Sequence, residues 1–113
     1  MEKIIDCLRK KDKESLNEFK EKVRKKFPEA SFILFGSKVR GKDTIFSDID
    51  ILVILDREIT TSIEEEVFEV GFEVGLKYEV VFGIVVEERK FWDFSLYKEM
   101  PFYQNIDREG VKI

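Results

Sequence analysis

The apolar positions of this chain switch between two periods. Leu16, Phe19, Val23 and Phe27 recur at helical spacing, and Pro28 ends the stripe. Ahead of it, Ile4, Ile5 and Leu8 predict a short helix over residues 2–10, and Asp12 or Ser15 can cap a second helix or a continuation. Two short apolar runs follow, Ser31–Phe35 and Asp48–Leu55. They are rich in β-branched and aromatic residues and bounded by turn formers, so each predicts a strand. The link between them is only turn-sized, which allows an antiparallel pair. On the second strand Ile49, Ile51, Val53 and Leu55 line one face. Asp48 and Asp50 share the other with Leu52 and Ile54, so that face passes from a wet end to a buried end. Unbroken hydrophobicity beyond Asp50 implies cover on both sides.

Thr60, Thr61 and Ser62 then precede Glu64, Glu65 and Glu66, the pattern of a helix start with acidic first-turn residues. Its buried stripe is Ile63, Val67, Val70 and Val74, with Gly71 and Gly75 permitting close packing. Lys77–Val86 predicts a third strand, interrupted by Glu79. Residues 87–110 are dense in aromatics, including Phe91, Trp92, Phe94, Tyr97, Phe102 and Tyr103, and fit one or two short helices ending near Gly110. The pattern predicts an α+β fold: a small mixed sheet of at least three strands with helices packed on it, one domain over residues 1–113.

The chemistry concentrates between Phe32 and Leu55. Gly36-Ser37 ends the first strand, and Ser37 can cap a single helical turn over Lys38-Val39-Arg40. A glycine there lets a ligand approach the backbone, and the free N–H groups of a helix start attract anions. Asp48 and Asp50, two apart on a strand, place their carboxylates on one face. Unpaired, they repel, and Mg²⁺ relieves the repulsion. A phosphate cradle beside a divalent-metal pair describes a site for a nucleoside triphosphate.

Composition removes alternatives. The chain has no His, which excludes a Ser-His-Asp triad, a His general base and His-based zinc sites. One Cys, Cys7, excludes an internal disulfide and a Cys-cluster metal site. The formal charge of −4 shows no electrostatic footprint for nucleic acid, although a triphosphate needs only a local positive site. The face of Lys20, Lys22, Arg24, Lys25 and Lys26 reads as solvated, with a partner or phosphate-bearing surface as the alternative. Charged residues make up 39% of the chain and Asn and Gln are scarce, a balance that leans towards a thermophilic source. No apolar run approaches membrane-spanning length and the start does not read as a secretory signal, so a cytoplasmic protein is expected.

Gly36-Ser37, ten residues, then Asp48-x-Asp50 resembles the signature of the DNA polymerase β-like nucleotidyltransferase superfamily. Arg40-Gly41 and Ser47 agree with it, and the small size resembles its minimal nucleotidyltransferase branch. The likeness covers about residues 30–86 and, more loosely, Asn105-Ile106 and Glu109-Gly110. It implies the nucleotidyltransferase fold and Mg²⁺-dependent nucleotidyl transfer with two ions. Asp48, Asp50 and Glu79 would be the catalytic metal ligands, and Gly36, Ser37, Lys38, Arg40 and Ser47 would bind ATP or another nucleoside triphosphate. Glu79 is matched to the third carboxylate, which the superfamily places on the strand after the helix. That acid is usually Asp, and the extra methylene of Glu matters: a misplacement of about 1 Å can cost on the order of a hundredfold in rate.

Small members of this branch are similar to antitoxins paired with HEPN-type ribonuclease toxins, which move AMP from ATP onto a toxin tyrosine. The resemblance implies such a protein partner. Two further readings stay open: a catalytically silent module that neutralises or scaffolds a partner, and a small-molecule nucleotidyltransferase whose acceptor pocket is built across a homo-oligomer.

Overall fold

The computed structural model describes residues 8–40 and 48–113. Ser47, Gly41, Cys7 and most of the expected helix over 2–10 lie outside the described residues. Helix α1 (Lys10–Lys26) buries Leu16, Phe19 and Val23. Strand β1 (Ser31–Phe35) leads into the one-turn helix α2 (Ser37–Arg40), and strand β2 (Ile49–Leu55) returns beside it. Helix α3 (Thr61–Tyr78) starts as its sequence demands, with the Thr60 side chain accepting a hydrogen bond from the Ile63 N–H. Strand β3 (Phe82–Glu88), the short helix α4 (Arg89–Trp92), a 3₁₀ turn at Tyr97–Glu99, helix α5 (Pro101–Glu109) and strand β4 (Val111–Lys112) complete the order.

The four strands lie in the order β3-β2-β1-β4. β1 runs antiparallel to both β2 and β4, while β2 and β3, joined through α3, run parallel. Because side chains alternate across a sheet, each face has its own core. Ile49, Ile51, Val53 and Leu55 pack with Leu34 against α1 and α3. Leu52, Ile54 and Ile33 pack on the other face beneath Trp92 and Ile106. β2 is therefore covered on both sides from Ile51 onward; only Asp50 near its start is part-exposed, with the exposed Asp48 just before it. Beyond the core, Glu18 on α1 takes Lys77 at 2.7 Å and the Tyr78 hydroxyl at 3.0 Å, which ties the two helices of that layer together.

The third strand begins later than its sequence predicts. Lys77 and Tyr78 remain helical, and Glu79 sits in the left-handed region at φ 56°, ψ 46°. It caps α3, with its own N–H and that of Val80 both donating to the Gly75 carbonyl. Tyr78 continues the buried side of α3, so packing extends the helix through residues whose β-branched neighbours suggested a strand. Gly75 makes the turn possible, since a Cβ there would lie 2.7 Å from the Val80 carbonyl oxygen. β4 was not foreseen. Gly110 does end the last helix, as expected, but with extended rather than left-handed backbone.

A left-handed residue other than Gly costs roughly 1–2 kcal/mol. Glu79→Gly should therefore raise the thermal midpoint by roughly 4–8 °C per kcal/mol recovered in a domain of this size. Differential scanning calorimetry checks this, and an unchanged or lowered midpoint would contradict the capping role.

Candidate active site

β1 and β2 carry the site between them. Phe35 pairs with Asp50 in register, so Gly36 follows directly beside the Asp50 side chain. Gly36 takes φ +81°, the conformation only glycine adopts freely. It also has no room for a side chain, because a Cβ there would run into the Asp50 carboxylate. On the other flank, Asp50 pairs with Gly83 of β3. A Cβ on Gly83 would stand 2.6 Å from Asp50 Oδ1 and 3.9 Å from Asp48 Oδ2. Two glycines thus leave the Asp50 carboxylate its place on the sheet, and both aspartates border the space above Gly83.

Asp50 is half-buried, and desolvation, then the nearby Asp48 charge, push its carboxyl above the ordinary aspartate range, against a smaller opposing pull from Arg40. Two carboxylates that repel in this way suit an oxygen-seeking dication such as Mg²⁺. The donor set is small: among the described residues, no three acidic or other metal-ligating side chains come together. Glu79, matched by sequence to the third acid, is exposed at the end of α3, and its backbone carbonyl accepts from Lys11 at 3.3 Å. It is not on a strand, so that placement is corrected. The strand position beside both aspartates belongs to Gly83. Sequence reasoning passed over it, although a lone glycine inside an apolar strand signals a close approach by another group.

The basic residues of α2 divide. Arg40 is exposed and its Nη1 lies 3.3 Å from Glu109 Oε2. Lys38, expected to face phosphate, is instead buried, with Nζ 2.9 Å from Asp12 Oδ2. Asp12 is held in turn by helix α1, where the Ser15 hydroxyl donates to its carbonyl at 2.9 Å. This buried ion pair ties the residues just after Gly36-Ser37 to α1. Ser37 is half-buried as the first residue of α2. A cleft of about 360 Å³ opens beside Asp50 and Gly36, walled by Arg40, Phe102, Asn105 and Glu109.

The sequence profile described as "Nucleotidyltransferase domain" matches residues 16–109, which include the glycine turn and both aspartates. The chain belongs to the nucleotidyltransferase-domain family. As a family member it is a nucleotidyltransferase. It is 34% identical over 98 residues to a protein of Methanocaldococcus jannaschii named "Putative protein adenylyltransferase MJ0604", covering 87% of this chain and 89% of that one. Its fold resembles that of a toxin–antitoxin crystallised with AMP-PNP, at TM-score 0.58 and 18% identity, over 85% of this chain and 69% of the other. A mutant of the toxin–antitoxin MntA–HpeT gives TM-score 0.57 at 16% identity, again over 85% and 69%. The mixed sheet with helices on both faces is therefore the nucleotidyltransferase fold.

Two outcomes test this geometry. A raised carboxyl is protonated more readily in the folded chain than in the unfolded one. Its favourable contribution is complete below the unfolded value near about 3.9 and is lost as pH rises through the Asp50 value. Asp50→Asn should therefore raise the thermal midpoint at neutral pH, with the gain shrinking below about pH 4. Equal midpoints of the two proteins at neutral pH would refute it. Lys38→Met leaves Asp12 buried without its partner and should cost about 3–5 kcal/mol in urea unfolding. Adding Asp12→Leu should recover most of that loss.

Proposed function

We propose that this nucleotidyltransferase moves AMP from ATP onto a tyrosine hydroxyl of a partner protein, as the antitoxin of a HEPN-type toxin–antitoxin pair. The observation that carries the reading is the Asp50 carboxylate held between the Gly36 turn and the Gly83 position, with Asp48 bordering the same space. The M. jannaschii relative's name, with the toxin–antitoxin context and AMP-PNP of the fold neighbours, supports the adenylyl group and the protein acceptor.

In the reaction, the acceptor oxygen attacks the α-phosphorus of ATP. A phosphorus–oxygen bond forms to the acceptor as its O–H bond breaks and the proton passes to water, while the bond to the bridging oxygen breaks and pyrophosphate leaves with that electron pair. Asp48 and Asp50 would hold Mg²⁺, and bound there it would stabilise the incoming and departing oxygens. The Gly36-Ser37 backbone and the Ser37 hydroxyl would seat the β- and γ-phosphates, and Arg40 would offset their charge. Lys38 serves that seat from behind, through Asp12, rather than by touching phosphate. The cleft between Asp50 and Phe102 is where the acceptor would enter, an aromatic wall leading to a carboxylate end.

The acceptor proton argues for a phenol. Glu109 walls the same cleft but is engaged by Arg40 at 3.3 Å, and the chain has no His. A phenol gives up its proton near pH 10, far more easily than an aliphatic hydroxyl does. A site with little general-base apparatus therefore suits tyrosine better than serine, threonine or a sugar.

The assay combines the full chain, labelled ATP, Mg²⁺ and the HEPN-type protein encoded beside it. Label should reach the partner's tyrosine, and Asp48→Ala should lower the rate by at least about a hundredfold. Glu79→Gly should stay within about threefold of wild type, since Glu79 caps α3 and forms no three-acid cluster with the aspartates among the described residues. Tight binding without label would mark a silent scaffold, and label on a small molecule alone would mark the third reading.

A further inference from the structure

Helix α3 presents two outward stripes. In the first, Phe68, Phe72 and Leu76 stand four residues apart and are 43%, 69% and 66% exposed. Val81, 63% exposed, carries the stripe off the helix to the start of β3. Between this stripe and β3 runs a groove of about 690 Å³ with a floor of Gly71, Gly75 and Ile84. β3 is the last strand of the sheet, and its run Phe82–Val86 has none of the lysines or prolines that guard open edges. A contiguous apolar surface of this kind is uncommon on a protein that works alone.

The second stripe is acidic. Glu65, Glu69 and Glu73 lie three residues before Phe68, Phe72 and Leu76, hence beside them on the helix surface. All three are exposed, and none has a salt bridge among the described residues. Glu79 closes the end of the groove. Lys77, a cation on the same helix, is held by Glu18 at 2.7 Å.

We infer that this groove docks an amphipathic helix of a partner protein, with apolar residues that fill it and Lys or Arg residues that meet the acidic stripe. Helix-in-groove binding reads anchors at such spacing. A second copy of this chain is the poorer occupant, since it would set one acidic stripe against another. The placement has a consequence for the site. Phe82 and Ile84 face the groove layer, while Gly83 between them faces the aspartates. A helix docked here lies one strand residue away from the catalytic face, where a partner could hold its acceptor. The docking shares its protein partner with the reading above but does not depend on the chemistry.

The probe is a synthetic helical peptide with Leu at i, i+4 and i+8 and flanking Lys and Arg. Its counterpart carries Glu in the flanking positions. Both are titrated into the full chain by fluorescence anisotropy, and the chain alone is sedimented. The basic peptide should bind at least about tenfold more tightly than the acidic one, and added salt should weaken it. Phe72→Asp with Leu76→Asp should weaken binding at least about tenfold. Phe94→Asp, at an exposed aromatic outside the groove, should leave it unchanged. Reversing Glu65, Glu69 and Glu73 to Lys should invert the preference between the peptides. All substituted side chains are exposed, and circular dichroism confirms that the variants fold. Asp48→Ala should bind as wild type does while losing transfer, so failure of the chemistry and failure of docking are told apart. Equal affinity for both peptides, or none for either, would overturn the inference. So would a dimer of the chain alone that Phe72→Asp dissociates.

Discussion

The half-buried Asp50 carboxylate sets the terms for the rest of the site. Burial and a second aspartate both penalise its charged form, on a strand whose remaining residues are sealed in a core. The sheet meets that demand by removing side chains on both flanks. Gly36 gives up its Cβ on one side and Gly83 on the other, and Gly36 also takes the positive φ that turns the chain into α2. The same two absences that accommodate a costly charge open the space where phosphate and metal are proposed to sit. The unfavourable term is local, and the apolar layers against Ile51, Leu52, Val53 and Ile54 offset it.

The faces of the sheet divide the remaining work. The α1–α3 face is a conventional apolar core, and the buried Asp12–Lys38 pair joins it to the site. A buried ion pair seldom adds net stability over apolar residues of similar size, yet breaking one is severe. Its effect here is to fix where α2 sits relative to α1, and so where the glycine turn points. The opposite face is closed by α4 and α5, whose rings cover β2 only from Leu52 onward. Where that cover stops, Asp50, Phe102 and Asn105 share a cleft. The site lies at the border between a sealed and an unsealed stretch of one strand.

Much of this was legible in the residues. The antiparallel pair, the glycine turn and its single helical turn, the aspartate face and the Thr60 cap each follow from short-range rules, and the structure has them. The misreadings share a cause, because each depended on a contact distant in sequence. Glu79 lies in a run whose composition favours a strand, but packing of Tyr78 carries the helix on and leaves Glu79 to cap it in the left-handed region. Lys38 follows a phosphate-type turn, and only the folded chain shows Asp12 waiting beneath it. Gly83 has no side chain to attract notice, and its importance is visible only once strand register sets it against Asp50. β4 is two residues long and exists because β1 offers an edge.

Register also links the proposed docking groove to the aspartate site. Along β3, alternate residues serve opposite faces, so the order Phe82, Gly83, Ile84 sends an apolar ring, an empty position and an aliphatic chain to alternate sides. A shift of one residue would put a phenyl ring into the aspartates and a void beneath α3. The groove and the site therefore depend on one register and cannot be altered independently at this strand. If a partner binds the open edge and α3, it also braces the strand that carries Gly83, against which Asp50 rests. Recognition of the proposed acceptor protein and the position of the two aspartate carboxylates would then be mechanically joined through three consecutive residues.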